Sequence, residues 1–227
     1  MEWAIVLAAS YLLGSVPSGY LMGKLLLGID IRHYGSGNIG GSNVWRTIGP
    51  WAGMVVVLTD MAKGAAAVAL ARWLELGTLG EVLAGLAAMA GHNWSLYLGF
   101  SGGRGVDTAL GALVLLSWET VLLGAALWAL LLVLTRDHPL SVFITALTLP
   151  AFALVVREPS TTVLGCAALV GVYLVRRLQG SAHPGPAGTP RSQVLLNRLL
   201  WDRDIRDREQ WLSRRLGQSD RQETQRR

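Results

Sequence analysis

The chain has 227 residues, 52% of them hydrophobic and only 15% charged, with a formal net charge of +5 and a mean hydropathy of +0.40. An ordinary soluble domain carries about 25% charged residues, and a disordered chain is poorer still in apolar ones, so this composition excludes both and indicates a membrane protein. The single cysteine, Cys166, excludes an intrachain disulfide framework and a thiolate metal cluster; its expected role is packing within a span.

The N-terminal stretch MEWAIVLAASYLLGSVPSG lacks the basic flank of a secretory signal and stays apolar past a cleavage length, so it reads as a retained first span over residues 3–27. Gly14, Ser15, Pro17 and Gly19 interrupt it, allowing close helix approach and freeing backbone carbonyls. Lys24, near the inner end, either snorkels to the interface or joins a polar site. A polar segment, GIDIRHY, then leads into GSGNIGGSNVWR, residues 35–46.

The first six residues of that stretch spell G-x-G-x-x-G, and Asp60 lies near the acidic spacing of a dinucleotide fingerprint. No β-run feeds the glycines, so a nucleotide fold is rejected. The local physics survives without it. Gly35, Gly37 and Gly40 let backbone amides turn toward one point, and a following helix start adds partial positive charge. Ser36, Asn38, Ser42 and Asn43 add neutral donors, while Arg46 supplies a planar fork that suits phosphate oxygens. The competing reading is a Gly- and Asn-rich turn whose arginine merely follows the membrane charge rule.

Further spans are expected at residues 50–74, 79–99, 106–118, 120–135, 138–156 and 159–175, giving an all-α polytopic protein with about seven transmembrane helices. The break between the fourth and fifth spans rests on Ser117, Trp118, Glu119 and Thr120; one long bent helix would reduce the count to about six. Within the second span, Asp60 and Lys63 are placed to meet on one helix face and neutralise each other. His92 serves either as a base or as a helix-anchoring hydrogen bonder. Around it, GHNWSLYLGFSGGRGVDT, residues 91–108, brings a second glycine-framed cation, Arg104 among Gly102, Gly103 and Gly105.

The basic residues place the C-terminal region in the cytoplasm and the N-terminus outside, and both glycine loops then lie on the cytoplasmic side. Two such loops imply a pocket for a ligand with more than one anionic group, or for two phosphorylated ligands. Residues 1–179 form the membrane-embedded domain, and 180–190, GSAHPGPAGTP, a Pro/Gly linker. Residues 191–217 read as a charged amphipathic cytoplasmic helix, and 218–227 as a disordered tail.

Taken in order, GSVPSGYLMGK, GSGNIGGSNVWR, TDMAKG and GHNWSLYLGFSGGRGVDT resemble the bacterial acyl-phosphate:glycerol-3-phosphate acyltransferase family, PlsY, over residues 10–112. The resemblance implies a seven-span inner-membrane enzyme that moves a fatty acyl group from acyl phosphate to the 1-hydroxyl of glycerol 3-phosphate. Lysophosphatidic acid, a phospholipid precursor, would be the product. It implies no metal, no cofactor and no nucleic-acid partner; membrane lipid surrounds the chain and the oligomeric state is left open.

By this resemblance Ser36 and Arg46 match positions that contact substrate phosphate, Asn38, Gly40 and Asn43 match the loop, and Arg104 stands where the family has the phosphate-binding lysine of GGKG. Ser42 replaces a usual threonine, and Asp107 replaces a small residue, bringing negative charge near Arg104. The family's C-terminal stretch HRxNIxRLLxGxE is represented at residues 174–182, LVRRLQGSA, only by its RL and G. Either the tail, with Asn197, Arg198, Leu199 and Leu200, supplies substitutes, or the activity is reduced or altered.

Acyl phosphate is already activated, so the expected mechanism is direct transfer, with the donor's phosphate accepting the hydroxyl proton and Arg46 and Arg104 holding phosphates. Ser36 as a covalent nucleophile is the weaker enzymatic alternative, having no base nearby in sequence. A carrier of a phosphorylated solute, or an inactive binding homologue, is the rival class.

Overall fold

A computed structural model describes residues 2–180 and 189–207. Its helices are α1 (Glu2–Ser15), α2 (Ser18–Leu27), α3 (Gly41–Thr47), α4 (Pro50–Trp73), α5 (Gly77–Asn93), α6 (Val106–Leu116), α7 (Trp118–Thr135), α8 (His138–Val155), α9 (Ser160–Gln179) and α10 (Arg191–Trp201). Single 3-10 turns occupy Ile31–His33 and Leu96–Leu98, and the only β pairing among the described residues is an isolated bridge between Ser95 and Ser101. Among the described residues five segments are long and apolar enough to cross a bilayer: Glu2–Leu27, Pro50–Trp73, Trp118–Thr135, His138–Val155 and Ser160–Gln179. The described residues thus build an all-helical protein that crosses the membrane several times, as its composition requires.

The structure departs from the sequence reading at three places and bears out the break expected at Ser117–Thr120. The first span is two helices, because Pro17 has no amide to continue α1, and the chain restarts at Ser18. The helix expected over 79–99 stops at Asn93, where Trp94 leaves helical geometry and the chain enters a short polar loop. Between α6 and α7, Ser117 adopts φ −162° and its hydroxyl donates to Thr120 Oγ1 at 2.6 Å, so one bent helix is excluded. The amphipathic helix expected over 191–217 ends at Trp201. Asp202 takes the left-handed cap position (φ 54°) and residues 202–207 are not helical; the rest of that segment, the tail expected to be disordered and residues 181–188 of the linker lie outside the described residues.

The fold divides into two compact units. One comprises the chain up to Pro17 with Leu58–Val175; the other comprises Ser18–Val57 with the described residues from Arg176 on.

In the first unit α1 packs on α5, α5 on α6, and α7 pairs with α8. Small residues set these distances. A methyl group on Gly14 would strike the Ala88 carbonyl, one on Gly91 the Tyr11 carbonyl, and one on Gly64 the Thr108 carbonyl. Within a membrane, van der Waals contact between closely approaching backbones replaces the hydrophobic drive that water supplies elsewhere. Met89, Leu113, Ala153, Cys166, Leu169 and Tyr173 form one apolar core, with Cys166 buried as expected; Val6, Ala67, Ala71, Ala84 and Ala88 form another. Exposed apolar side chains such as Leu122, Leu130, Val133 and Leu134 on α7 face a solvent that is hydrocarbon.

The second unit is built around α2, which packs on the Ile31–His33 turn and on α3. Ile31, Ile39 and Val44 are fully or almost fully buried, and Gly19 lies against the Ile39 carbonyl and the Val44 side chain. At the other side of α3, Gly53 in the first turns of α4 accommodates the backbone of Trp45. This packing fixes both ends of the 35–46 loop.

Candidate active site

The first glycine loop owes its shape to Asn43. Its side chain is fully buried, and Oδ1 accepts the Ser36 amide at 2.8 Å. Nδ2 points at three carbonyls, those of Asn38 (2.8 Å), Tyr34 (3.1 Å) and Ile31 (3.3 Å). One side chain therefore gathers the loop around itself, and Gly35 has no room for a Cβ beside Asn43 Oδ1. Gly35 and Gly37 also occupy left-handed backbone, φ 51° and 67°, where other residues are strained. Asn38 closes a smaller turn by accepting the Gly40 amide at 3.1 Å. Ser36 is half-buried, and its hydroxyl is 3.4 Å from the Asn38 amide. Arg46 lies in the last turn of α3 with an exposed side chain.

Before the loop, Asp30 caps the 3-10 turn and holds Arg32 through both carboxylate oxygens, at 2.7 to 3.2 Å. Burial disfavours its charge, but the hydrogen bonds and charge of Arg32 outweigh this and keep the Asp30 carboxyl below its ordinary pKa. Lys24 is exposed with Nζ 5.9 Å from the Tyr20 ring centre, the posture of a snorkelling lysine.

The second loop, in the other unit, is built on the end of α5. The His92 carbonyl accepts the Gly103 amide at 3.0 Å, and side chains at Gly102 and Gly105 would collide with Asn93. Gly105 is left-handed (φ 73°) and caps α6, whose first amides follow directly. Arg104 sits between these glycines with 8% of its surface exposed. The same loop is tied to α1, since Tyr11 Oη donates to the Trp94 carbonyl at 2.7 Å and the Ser95 hydroxyl donates to the Ser15 carbonyl.

Asp60 and Lys63 meet as their spacing required, Oδ1 to Nζ at 2.7 Å, both almost wholly buried. Lys63 also donates to the Gly14 carbonyl at 3.3 Å and the Val16 carbonyl at 2.7 Å, so the carbonyls freed by the Pro17 break are satisfied from a neighbouring helix. Sequence spacing offered His92 no carboxylate; the fold supplies Asp60, whose Oδ1 is 3.6 Å from Nδ1. Asp107, in the first turn of α6, stands within Coulombic reach of Asp60, His92 and Lys63. Among the described residues no group of His, Cys, Asp and Glu could hold a metal ion.

The sequence profile of glycerol-3-phosphate acyltransferases matches residues 4–181. This chain belongs to that family. It is 36% identical to glycerol-3-phosphate acyltransferase 4 of Dehalococcoides mccartyi (strain CBDB1), over 92% of this chain and 93% of that protein. With the glycerol-3-phosphate acyltransferase of Desulforudis audaxviator it shares 48% identity over 66% of this chain and 76% of the other. Its fold matches the crystal structure of PlsY, an integral membrane glycerol 3-phosphate acyltransferase, in the glycerol 3-phosphate form. The TM-score is 0.74 at 28% identity, covering 79% of this chain and 90% of that one. The lysophosphatidic acid form of PlsY matches with a TM-score of 0.72.

At the acyltransferase's C-terminal end, the second unit contains a network that sequence reading resolved only in part. Arg198 Nη1 donates to the carbonyls of Leu178 (2.9 Å) and Gln179 (3.2 Å), the last turn of α9, and Nε is paired with Asp204. Arg177 Nε donates to the Arg198 carbonyl at 2.8 Å, and Asn197 is buried with Nδ2 on the Asp204 carbonyl at 3.1 Å. Arg177 and Arg198 thus fasten α10 to α9, while Asn197 ties α10 to the turn that follows it. Asp204 was not distinguished in sequence from the other acids of the tail; its only signal was a position six residues after Arg198, which becomes a contact once Asp202 turns the chain back.

Proposed function

We propose that this protein acylates the 1-hydroxyl of glycerol 3-phosphate with acyl phosphate as donor, giving lysophosphatidic acid and inorganic phosphate. The hydroxyl oxygen attacks the acyl carbonyl carbon, the bond from that carbon to the phosphate oxygen breaks, and the hydroxyl proton leaves on the released phosphate. No oxidant, metal or enzyme-bound acyl group is required, because the donor is a mixed anhydride. The protein's contribution is to orient two anions and to offset charge as the phosphate departs.

The observation that carries this reading is the Asn43-centred loop, which takes a family sequence motif and turns it into a rigid frame for Ser36 and the α3 arginine. At the first loop Ser36 and Arg46 hold a phosphoryl group. At the second, Arg104, framed by Gly102, Gly103 and Gly105, holds a phosphoryl group. Gly35, Gly37, Asn38, Gly40 and Asn43 keep the first loop in shape, and Asp60, Lys63 and His92 support the second. We further propose about seven spans, counting the shorter α5 and α6, with the N-terminus outside and both loops and the C-terminus cytoplasmic.

Purified protein supplied with acyl phosphate and glycerol 3-phosphate should release inorganic phosphate and form lysophosphatidic acid in equal amounts. Release without the lipid would reduce the activity to donor hydrolysis. Transport of a phosphorylated solute by reconstituted vesicles, with no lipid product, would replace the enzyme with a carrier. An acyl group found covalently on Ser36 by mass spectrometry would overturn direct transfer.

A further inference from the structure

Beneath the second loop lies an imidazole that takes no part in the proposed bond changes. The geometry points to His92 as a positioning residue for the Gly102–Gly105 loop, its ring forming the backing against which Gly103 lies and so fixing Arg104. The inference rests on the reading of Arg104 as a phosphate-binding residue and adds a mechanism by which its position is held.

Three observations converge. First, the loop is hydrogen-bonded to the same residue, since Gly103 donates to the His92 carbonyl at 3.0 Å. Second, the three atoms that a Cβ on Gly103 would approach most closely are Nε2, Cδ2 and Cε1 of His92. Gly103 is outside the left-handed backbone region, unlike Gly105, so the imidazole rather than the backbone conformation is what requires glycine there.

Third, the ring is buried beside an ion pair. His92 is 5% exposed, and its Nδ1 faces Asp60 Oδ1 at 3.6 Å. Asp60 is in turn fixed by Lys63 at 2.7 Å, and Lys63 by the Gly14 and Val16 carbonyls. A chain of contacts therefore runs from the break after α1, through a buried ion pair, to the backbone that carries Arg104. Binding groups are effective when their supporting shell is locked in this way, because small displacements of a ligand-holding cation cost large factors in rate or affinity.

The test is a double-mutant cycle on His92 and Gly103, with Arg104→Ala as reference. Gly103→Ala should raise KM for the substrate whose phosphate this loop holds by about tenfold or more, with kcat much less affected. His92→Ala should raise the same KM. The double variant should recover much of the Gly103→Ala loss, because the ring that excluded the methyl group is gone. A purely structural His92 would lower the melting temperature and the amount of active enzyme without moving KM, and would give no recovery.

Additive losses, or a wild-type KM in Gly103→Ala, would overturn the proposal; the latter result decides it even where His92→Ala does not fold. Arg104→Ala separates the layers. A raised KM there, with neither His92 nor Gly103 affecting it, leaves phosphate binding standing and removes the positioning role, whereas an unchanged KM removes the premise and the proposal together.

Discussion

Arg46 and Asn43 share one short helix and have opposite tasks. Arg46 is exposed, and surface substitutions of this kind change stability by about 0.5 kcal/mol or less. Arg46→Ala should therefore fold with a wild-type melting temperature and lose turnover by about a hundredfold or more, the scale of a lost transition-state donor. Wild-type rates in phosphate release would remove Arg46 from the reaction. Arg104→Lys, which introduces the lysine that the resemblance expects at this position, should retain or raise activity by the same assay. Asn43→Ala should do the reverse of Arg46→Ala and unfold earlier. It strips partners from the Ser36 amide and from buried carbonyls, at about 1–3 kcal/mol for each group left unsatisfied. Thermal unfolding in detergent would measure this.

At the scale of helices, glycine is the determinant where α1 meets α5. Gly14→Val places a side chain on the Ala88 carbonyl and should destabilise by about 1–3 kcal/mol or more, with the neighbouring α1 break and its Lys63 contacts disturbed. A melting temperature equal to wild type would show that the helices approach less closely than described. The other element-level contact is α10 on α9. Hydrogen bonds from a charged group are worth about 1.5–3 kcal/mol, and Arg198 makes several at once, two of them to the last carbonyls of α9. Arg198→Ala should release α10 locally. Amides of Val194–Trp201 should lose hydrogen-exchange protection while those of α4 and α5 keep theirs; unchanged protection would mean that the apolar face of α10 holds it unaided.

For the whole molecule, the charge distribution predicts opposite locations for the two ends. In a Cys166→Ser background, a cysteine at Glu2 should react with an impermeant thiol reagent added outside intact cells, and one at Arg191 should react only after the membrane is opened. Reaction of both from outside would give an even number of crossings and overturn the topology. A chain ended at Gly180 provides the companion measurement. Lost phosphate release would make α10 part of the working enzyme, and retained release would confine its role to the end of α9.

Composition and periodicity determined the membrane class, most of the helices and both glycine loops, because spans obey a length rule and tight glycine-rich loops need particular residue types at close spacing. The Asp60–Lys63 pair was legible for the same reason, its partners being one helical turn apart. Helix ends were less so: Trp94 and Asp202 stop helices through local backbone geometry that apolar patterning does not record, whereas the break at Ser117 was legible in its polar neighbours. Only the tertiary structure decided what joins residues distant in the chain. It gave His92 its carboxylate, made Asn43 the centre of a loop, turned Gly103 into a packing requirement, and put Arg198 on the carbonyls of α9. Such contacts depend on where helices cross, and that is set by the summed packing of many small residues rather than by any local run of sequence.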